Sequence, residues 1–337
     1  MPTIKDVARE AGVSIATVSY VLNNKTEAIS EDTRVRVWTA VRTIGYRPNV
    51  TARNLRSSQS RLIGYAWHVV HSDQVNTVLD RFTYSLARSA EAAGYHILTF
   101  TFPQGDPIPV YDELIRTGRV DAFVLASTVR DDPRVEFLIE RDIPFVSFGR
   151  ANENWDFLWV DTDGEQGTRE AVDTLVDFGH RRIAMAAWHE GSLSGEFRVA
   201  GYLDGLREAG IEQSNILRGE NSEQAGREAL CKWLELPADE RPTAIVAISD
   251  LVAIGIMNEA ERRGLVVGQD LSVIGFDDAP MSQYLRPALT TLRQPIEDIG
   301  KALIKMLEAA SEGVAPDPRH VLLPPRLVKR ASCGSPT

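Results

Sequence analysis

Trp67, His68, Ser127, Asp161, Asp163, Ser249 and Asp277 all lie at or just beyond the ends of short apolar runs, and Arg198 opens a helical stretch. Together they offer carboxylates, a guanidinium, hydroxyls and aromatic faces. Ionised groups make strong, directional hydrogen bonds to hydroxyls, and a ring covers the apolar face of a sugar, so the set suits a polyhydroxylated ligand. Taken singly the residues are ambiguous. Trp67 and Trp159 fit core packing as well as stacking on a ligand, His68 fits a satisfied surface or core histidine, and Asp278 fits the cap of a turn.

Catalytic patterns are incomplete wherever they begin. His189-Glu190 lacks the second histidine of a metalloprotease helix, and Asp161-Thr-Asp163-Gly164 lacks the remaining ligands of a calcium loop. Gly191-Ser-Leu-Ser-Gly195 has Leu193 where a nucleophile elbow needs serine, and no Walker loop is present. Cys231 and Cys333 form neither a CxxC pair nor a disulfide framework, which argues against structural zinc and against secretion. The expectation is a binding protein and not an enzyme, without metal or cofactor.

Charge is unevenly placed along the 337 residues, whose net charge is −10. Residues 1–61 hold ten Lys or Arg against five Asp or Glu, so a head of about +5 precedes a body of about −15. Only the head is suited to phosphate, while the acidic body limits nonspecific adhesion. An uneven but merely solvated surface is the plainer alternative. The charged N-terminus lacks a signal peptide's apolar stretch, and no run approaches the ~18 apolar residues of a spanning helix. A cytoplasmic protein without membrane contact is expected.

The elements that must position these residues follow from periodicity. Thr3 and Asp6 start a helix carrying Ile4, Val7, Ala8 and Ala11 at helical spacing, and Gly12 suits its left-handed end. Ser14 caps a second helix with Val18, Val21 and Leu22 buried, and Ser30 caps a third through about Ile44, with Val37, Val41 and Ile44 as its stripe and Trp38 adding bulk. Helix, tight turn, helix fits a major-groove reader as well as a generic three-helix bundle. Residues 46–60 follow, in which Asn49 can cap two turns bearing Val50, Ala52 and Leu55; so short a helix is marginal alone, and a flexible Ser-rich linker is the simpler reading.

Beyond Arg61, apolar runs at Leu62–Trp67, Ile97–Phe102, Ala122–Ala126 and Phe145–Phe148 alternate with helical stretches, and the pattern resumes at Ile183–Trp188, Thr243–Ile248 and Leu271–Phe276. That alternation specifies an α/β body with two doubly wound parallel sheets. Crossovers are placed near residues 160 and 290, and Val321–Val328 returns as a late strand. Ligands in open parallel sheets bind beyond the strands' carboxyl ends, which directs the polar residues above to an interlobe cleft.

The head resembles the LacI/GalR family almost position for position over Thr3-Ile-Lys-Asp-Val-Ala-Arg-Glu-Ala-Gly-Val-Ser-Ile-Ala-Thr-Val-Ser-Tyr-Val-Leu-Asn23. The resemblance implies that Ile15, Ala16 and Tyr20 face base edges while Ser14, Thr17, Ser19 and Asn23 fix the backbone. Apolar Ile15 and Ala16 favour contact with a thymine methyl. Pro48-Asn-Val-Thr-Ala-Arg-Asn-Leu55 is similar to the family's hinge helix, which implies Leu55 as a wedge in the minor groove with Ala52 and Arg53 beside it. Val160-Asp-Thr-Asp-Gly, Phe178-Gly-His-Arg-Arg-Ile183, Arg198-Val-Ala-Gly-Tyr-Leu-Asp-Gly-Leu206, Ile248-Ser-Asp250 and Val273-Ile-Gly-Phe-Asp-Asp278 extend the likeness to about residue 330. By it Arg198 and Asp277 hold the ligand, with Ser249 nearby. The sequence departs from the family pattern at Gly164, where Asp-Asn is common, and at Asn221, near the place of a frequent stacking aromatic.

The implied organisation is a helix-turn-helix head over residues 1–47, a hinge and linker over 48–60, and a periplasmic-binding-protein-like body over 61–332. Its first lobe takes residues 61–160 and 291–325, and its second takes 161–290 with the C-terminal strand. A two-fold protein on a palindromic operator calls for a homodimer, or a tetramer if dimers pair further. The expected function is a DNA-binding regulator, a repressor answering to a small-molecule effector. A sugar leads; a purine-type corepressor and a solute-binding transport protein are the alternatives.

Overall fold

The computed structural model describes residues 2–22, 29–46, 59–67, 76–103 and 105–336. They form two compact units, Met1–Ser60 and Arg61–Thr337. Asn23, Ala52, Arg53, Leu55 and His68 lie outside the described residues.

The first unit holds α1 (Ile4–Ala11), α2 (Ile15–Leu22) and α3 (Glu31–Ile44). Thr3 and Asp6 form a reciprocal capping box, and Gly12 ends α1 at φ +62°, where a Cβ would be strained. Val7, Val18, Val21 and Val37 are fully enclosed, so one small core joins all three helices. Trp38 departs from expectation. It is 39% exposed, because the stripe of α3 runs through Val37 and Val41 and the next residue is turned about 100° away.

The second unit contains two six-stranded sheets. The first is built from β1 (Leu62–Ala66), β2 (His96–Phe100), β3 (Ala122–Leu125), β4 (Phe145–Phe148), β5 (Leu158–Thr162) and β11 (His320–Leu323), in the order β11-β5-β4-β3-β1-β2. Every adjacent pair is parallel. Its faces obey the two-residue period of a strand: Ile63, Tyr65 and Val124 pack against Phe82 and Leu86 of α4 (Thr77–Ala92) and Leu303 of α11 (Ile296–Ser311). Phe123 and Leu125 point the other way, toward Tyr111 of α5 (Ile108–Arg116) and Leu138 of α6 (Pro133–Glu140).

The second sheet uses β6 (Ile183–Trp188), β7 (Asn215–Gly219), β8 (Ala244–Ala247), β9 (Ser272–Asp277), β10 (Thr290–Arg293) and β12 (Arg326–Val328), in the order β12-β10-β9-β8-β6-β7. Its helices are α7 (Gly164–Asp177), α8 (Leu193–Glu208), α9 (Glu223–Leu234) and α10 (Asp250–Arg262). Buried on both faces, the central strands read as unbroken apolar runs such as Ala244–Ala247. The α7–α8 contact is close because Gly201 has no side chain; a Cβ there would collide with the Glu165 carbonyl.

Three details differ from the sequence reading. Thr290–Arg293 pairs parallel with Ile274–Asp277, so residues 291–293 belong to the second sheet and not the first lobe. The single tail strand is two strands in different sheets, interrupted at Pro324-Pro325, which cannot donate to a ladder. The second sheet is therefore not purely parallel, since β12 runs antiparallel to β10. The chain passes between sheets after β5, after β10 and after β11.

Candidate functional site

The outer face of α2 is the first candidate. Thr17 N–H donates to the Ser14 hydroxyl at 3.0 Å, so Ser14 caps the helix, and the two hydroxyls are 2.8 Å apart. Val18 and Val21 point inward, which turns Ile15, Ala16 and Tyr20 outward. Ile15 is 40% and Tyr20 is 53% exposed. Thr17 and Ser19 are half-buried at the edge of this face. An exposed apolar strip framed by hydroxyls at the start of a short helix is chemically suited to thymine methyls and base edges.

The second candidate is a cavity of about 290 Å³ at the carboxyl ends of both sheets. Ser127, Asp161, Arg198 and Asp277 all line it. Arg198, on the first turns of α8, is buried; its Nη1 donates to the Ile248 carbonyl at 2.7 Å. Its guanidinium carbon lies 3.6 Å from the Phe276 ring centroid and 4.9 Å from that of Trp188. Burial pushes its pKa down, opposed by the charges of Asp277, Asp161 and Asp250. It nevertheless remains a cation, as guanidinium does in proteins.

Asp161, on β5, divides its carboxylate. One oxygen accepts from Arg150 Nε at 3.0 Å and Ser194 Oγ at 3.2 Å, and the other from Thr162 N–H at 2.8 Å. Burial raises its pKa in spite of Arg150 and Arg198. Asp277, at the end of β9, accepts from Gln294 Nε2 at 2.7 Å. Desolvation by the surrounding protein pushes its pKa up to about 7, Arg198 pulls it down, and Asp250 adds to the rise. One cation thus stands among carboxylates, two of which line the same cavity, with oxygen and amide groups left to meet hydroxyls.

Other expected residues are placed differently. Asp163 is the N-cap of α7, its carboxylate accepting from Gln166 N–H at 3.0 Å, and it does not line the cavity. Trp67 is 40% exposed just beyond β1 and also stands outside the lining. Ser249 caps α10 and acts at one remove, its hydroxyl donating to Asn221 Oδ1 at 2.6 Å while Asn221 lines the cavity. Aromatic walls come from Trp188 and Phe148. The strand-end rule could have found Trp188, which closes the run Ile183–Trp188. Asn221 and Gln294 follow β7 and β10, whose short polar-containing segments give weak apolar signals. Asn76 and Ser194 arrive through helix starts, which that rule does not reach. Among the described residues no cluster of His, Cys, Asp and Glu could hold a metal ion, and no helix is long and apolar enough to cross a membrane.

Residues 3–49 match the model of bacterial regulatory proteins of the lacI family, and residues 172–333 match a periplasmic binding protein-like domain. Catabolite control protein A of Priestia megaterium is 33% identical over 334 residues, covering 98% of both chains. The chain belongs to the lacI family of bacterial regulatory proteins. As a lacI-family member it is a DNA-binding transcriptional regulator. The HTH-type transcriptional repressor PurR of Escherichia coli O139:H28 is 31% identical over 338 residues, covering 98% of this chain and 97% of PurR. A regulatory protein of the LacI family from Chloroflexus aggregans superposes with a TM-score of 0.78 at 48% identity, over 82% of this chain and 99% of that one. The lac repressor dimer bound to operator and the anti-inducer ONPF gives 0.83 at 27% identity, over 99% of each chain. The regulator CelR in complex with cellobiose gives 0.75 at 26%, over 98% of this chain and 100% of that one.

Proposed function

We propose that this lacI-family regulator is a repressor that binds a palindromic operator as a homodimer and is controlled by a carbohydrate held between the two sheets. The observation that carries the effector reading is Arg198, enclosed by Phe276 and Trp188 and set among carboxylates at the cavity. Such a site orients hydroxyls through charged groups and presents aromatic faces to a ring. The relative CelR, solved with cellobiose, supports a sugar, and the lac repressor dimer on operator supports two-fold DNA binding.

In this reading residues 1–47 are the reading head, 48–60 the hinge and 61–332 the effector and dimer module. Ser14, Ile15, Ala16, Thr17, Ser19 and Tyr20 meet the major groove, with Asn23 on the backbone and Ala52, Arg53 and Leu55 in the minor groove. Asp161, Ser127, Arg198 and Asp277 hold the effector, Ser249 supporting them through Asn221. The protein works beside DNA in the cytoplasm and binds its effector without transforming it. Closure of the body around the effector changes the population of the DNA-competent state by the difference in affinity between the two states.

Fluorescence anisotropy of the full chain on a palindromic operator from its own upstream region tests this, with cellobiose, other disaccharides, monosaccharides and nucleobases titrated in. Release of DNA by one sugar is the expected result. Binding that requires an added nucleobase establishes a purine-type corepressor instead.

A further inference from the structure

Asp277 reaches the cavity from an unusual backbone. Its φ is +129° and that of Asp278 is +51°, so two successive non-glycine residues occupy the left-handed side of conformational space. Such residues persist only where their surroundings over-determine them. The restraints come from groups outside the cavity lining. The two carboxylate oxygens of Asp278 are divided between Arg293 Nε and Arg330 Nη2, each at 2.5 Å. Its N–H donates to Thr291 Oγ1 at 3.2 Å, and its carbonyl accepts from Arg81 at 3.4 Å. Arg330 is itself fixed, with Nη1 donating to the Leu289 carbonyl at 2.7 Å and its backbone N–H to Thr290 Oγ1 at 2.9 Å. Neither arginine nor Asp278 lines the cavity.

We propose that Arg293 and Arg330, acting through Asp278, are positioning residues that hold the Asp277 carboxylate toward the cavity. Arg293 ends β10, and Arg330 lies in the segment after β12. The C-terminal segment thereby shapes an effector site that it does not line. This assignment rests on the reading of the cavity as the effector site.

The test is a carbon-13 NMR titration of aspartate carboxyls in the full chain, with Asp277 assigned through Asp277→Asn. Groups bearing on Asp277 are Arg198 from α8, Asp250 at the start of α10 and Gln294 after β10, and the charged Asp278 is its next residue in the chain. Removing the two arginine charges in Arg293→Gln/Arg330→Gln acts in two opposite senses. Loss of positive charge alone raises the Asp277 midpoint, whereas release of the turn toward water lowers it from about 7. The expected result is a fall of about one pH unit or more, a tenfold change in proton affinity. Arg330→Lys, which keeps the charge, should retain most of the wild-type midpoint.

A midpoint that rises or stays where it is overturns the clamp. If the double variant does not fold, Arg330→Gln alone leaves one arm in place and supports the same comparison. The anisotropy response of Asp277→Asn to cellobiose and the monosaccharide panel separates the two readings. A wild-type response removes Asp277 from effector binding, while the titration still decides whether the clamp exists.

Discussion

The guanidinium carbon of Arg150 lies 3.4 Å from the ring centroid of Phe197, joining the loop after β4 of the first sheet to α8 of the second. The same guanidinium pairs with Asp161 at 3.0 Å and lies 5.5 Å from the Trp159 ring. Two contributions of unequal size are therefore carried by one side chain. Phe197→Leu removes the cation–π contact and should cost about 0.5–2 kcal/mol. Arg150→Met also strands the buried Asp161 carboxylate, for which about 3–5 kcal/mol is expected. Urea unfolding of the full chain measures both, and an Arg150→Met variant within 1 kcal/mol of wild type would sink the ion-pair account.

The head was the most legible part of the chain, because caps and apolar spacing are local: Thr3 with Asp6, Ser14, Ser30 and Gly12 all act within a turn of their own position. Strands buried on both faces were visible as apolar runs, and their carboxyl ends pointed to Ser127, Asp161 and Asp277. Proximity along the chain is a poorer guide to what fills a cleft. Asp163 stands two residues after Asp161, yet its backbone begins α7 and its carboxylate is engaged as the cap. Gln294 meets Asp277 across 17 residues and Asn221 meets Ser249 across 28, pairings that arise only when the sheets form. Residue type identified polar candidates, but which ones face the cavity is decided by the end of each strand and the first turn of each helix.

Asp277 makes stability depend on pH with a definite sign. Its folded pKa, about 7, is above the ordinary aspartate value of 3.8, so the folded state binds the proton more tightly. The stability gained from this is present below the ordinary value and is lost as pH rises through about 7, with a slope of at most about 1.4 kcal/mol per pH unit. Asp277→Asn should flatten that decline in thermal unfolding measured from pH 5 to 8. Effector binding should move oppositely, tightening above pH 7 as the carboxylate ionises. A Kd that is constant from pH 6 to 8 would remove the ionised carboxylate from ligand binding.

His180 acts in the opposite direction. Its ring sits 2.8 Å from Thr243 Oγ1, 2.9 Å from Ser272 Oγ and 2.9 Å from the Gly334 carbonyl, and burial lowers its pKa below 6.5. The Gly334 carbonyl can only accept, so Nε2 carries the proton in the neutral ring. Because the folded pKa is depressed, the stability is intact above pH 6.5 and is lost as pH falls toward the folded value. His180→Ala should destabilise by about 1–3 kcal/mol, the cost of unsatisfied buried polar partners, and should lose this part of the acid sensitivity. Calorimetry at pH 5.5 and 7.5 measures both effects; equal losses at the two values would contradict the titration argument.

The two faces of α2 separate folding from recognition. Val18 is fully buried, so Val18→Ala removes two methyl groups' worth of packing from a small core and should lower the stability of the head by about 1–3 kcal/mol. Tyr20 is 53% exposed and Ile15 is 40% exposed, so truncating either should change stability by no more than about 0.5 kcal/mol. If these side chains read base edges, Tyr20→Ala and Ile15→Ala each weaken operator binding by about 1–3 kcal/mol, roughly 5- to 150-fold. Loss of a base contact should leave the dependence of log affinity on log salt unchanged, since that slope counts phosphates and not bases. Anisotropy over a series of salt concentrations distinguishes the outcomes: parallel lines of lower affinity support base reading by this face, and wild-type affinity for both variants rejects it.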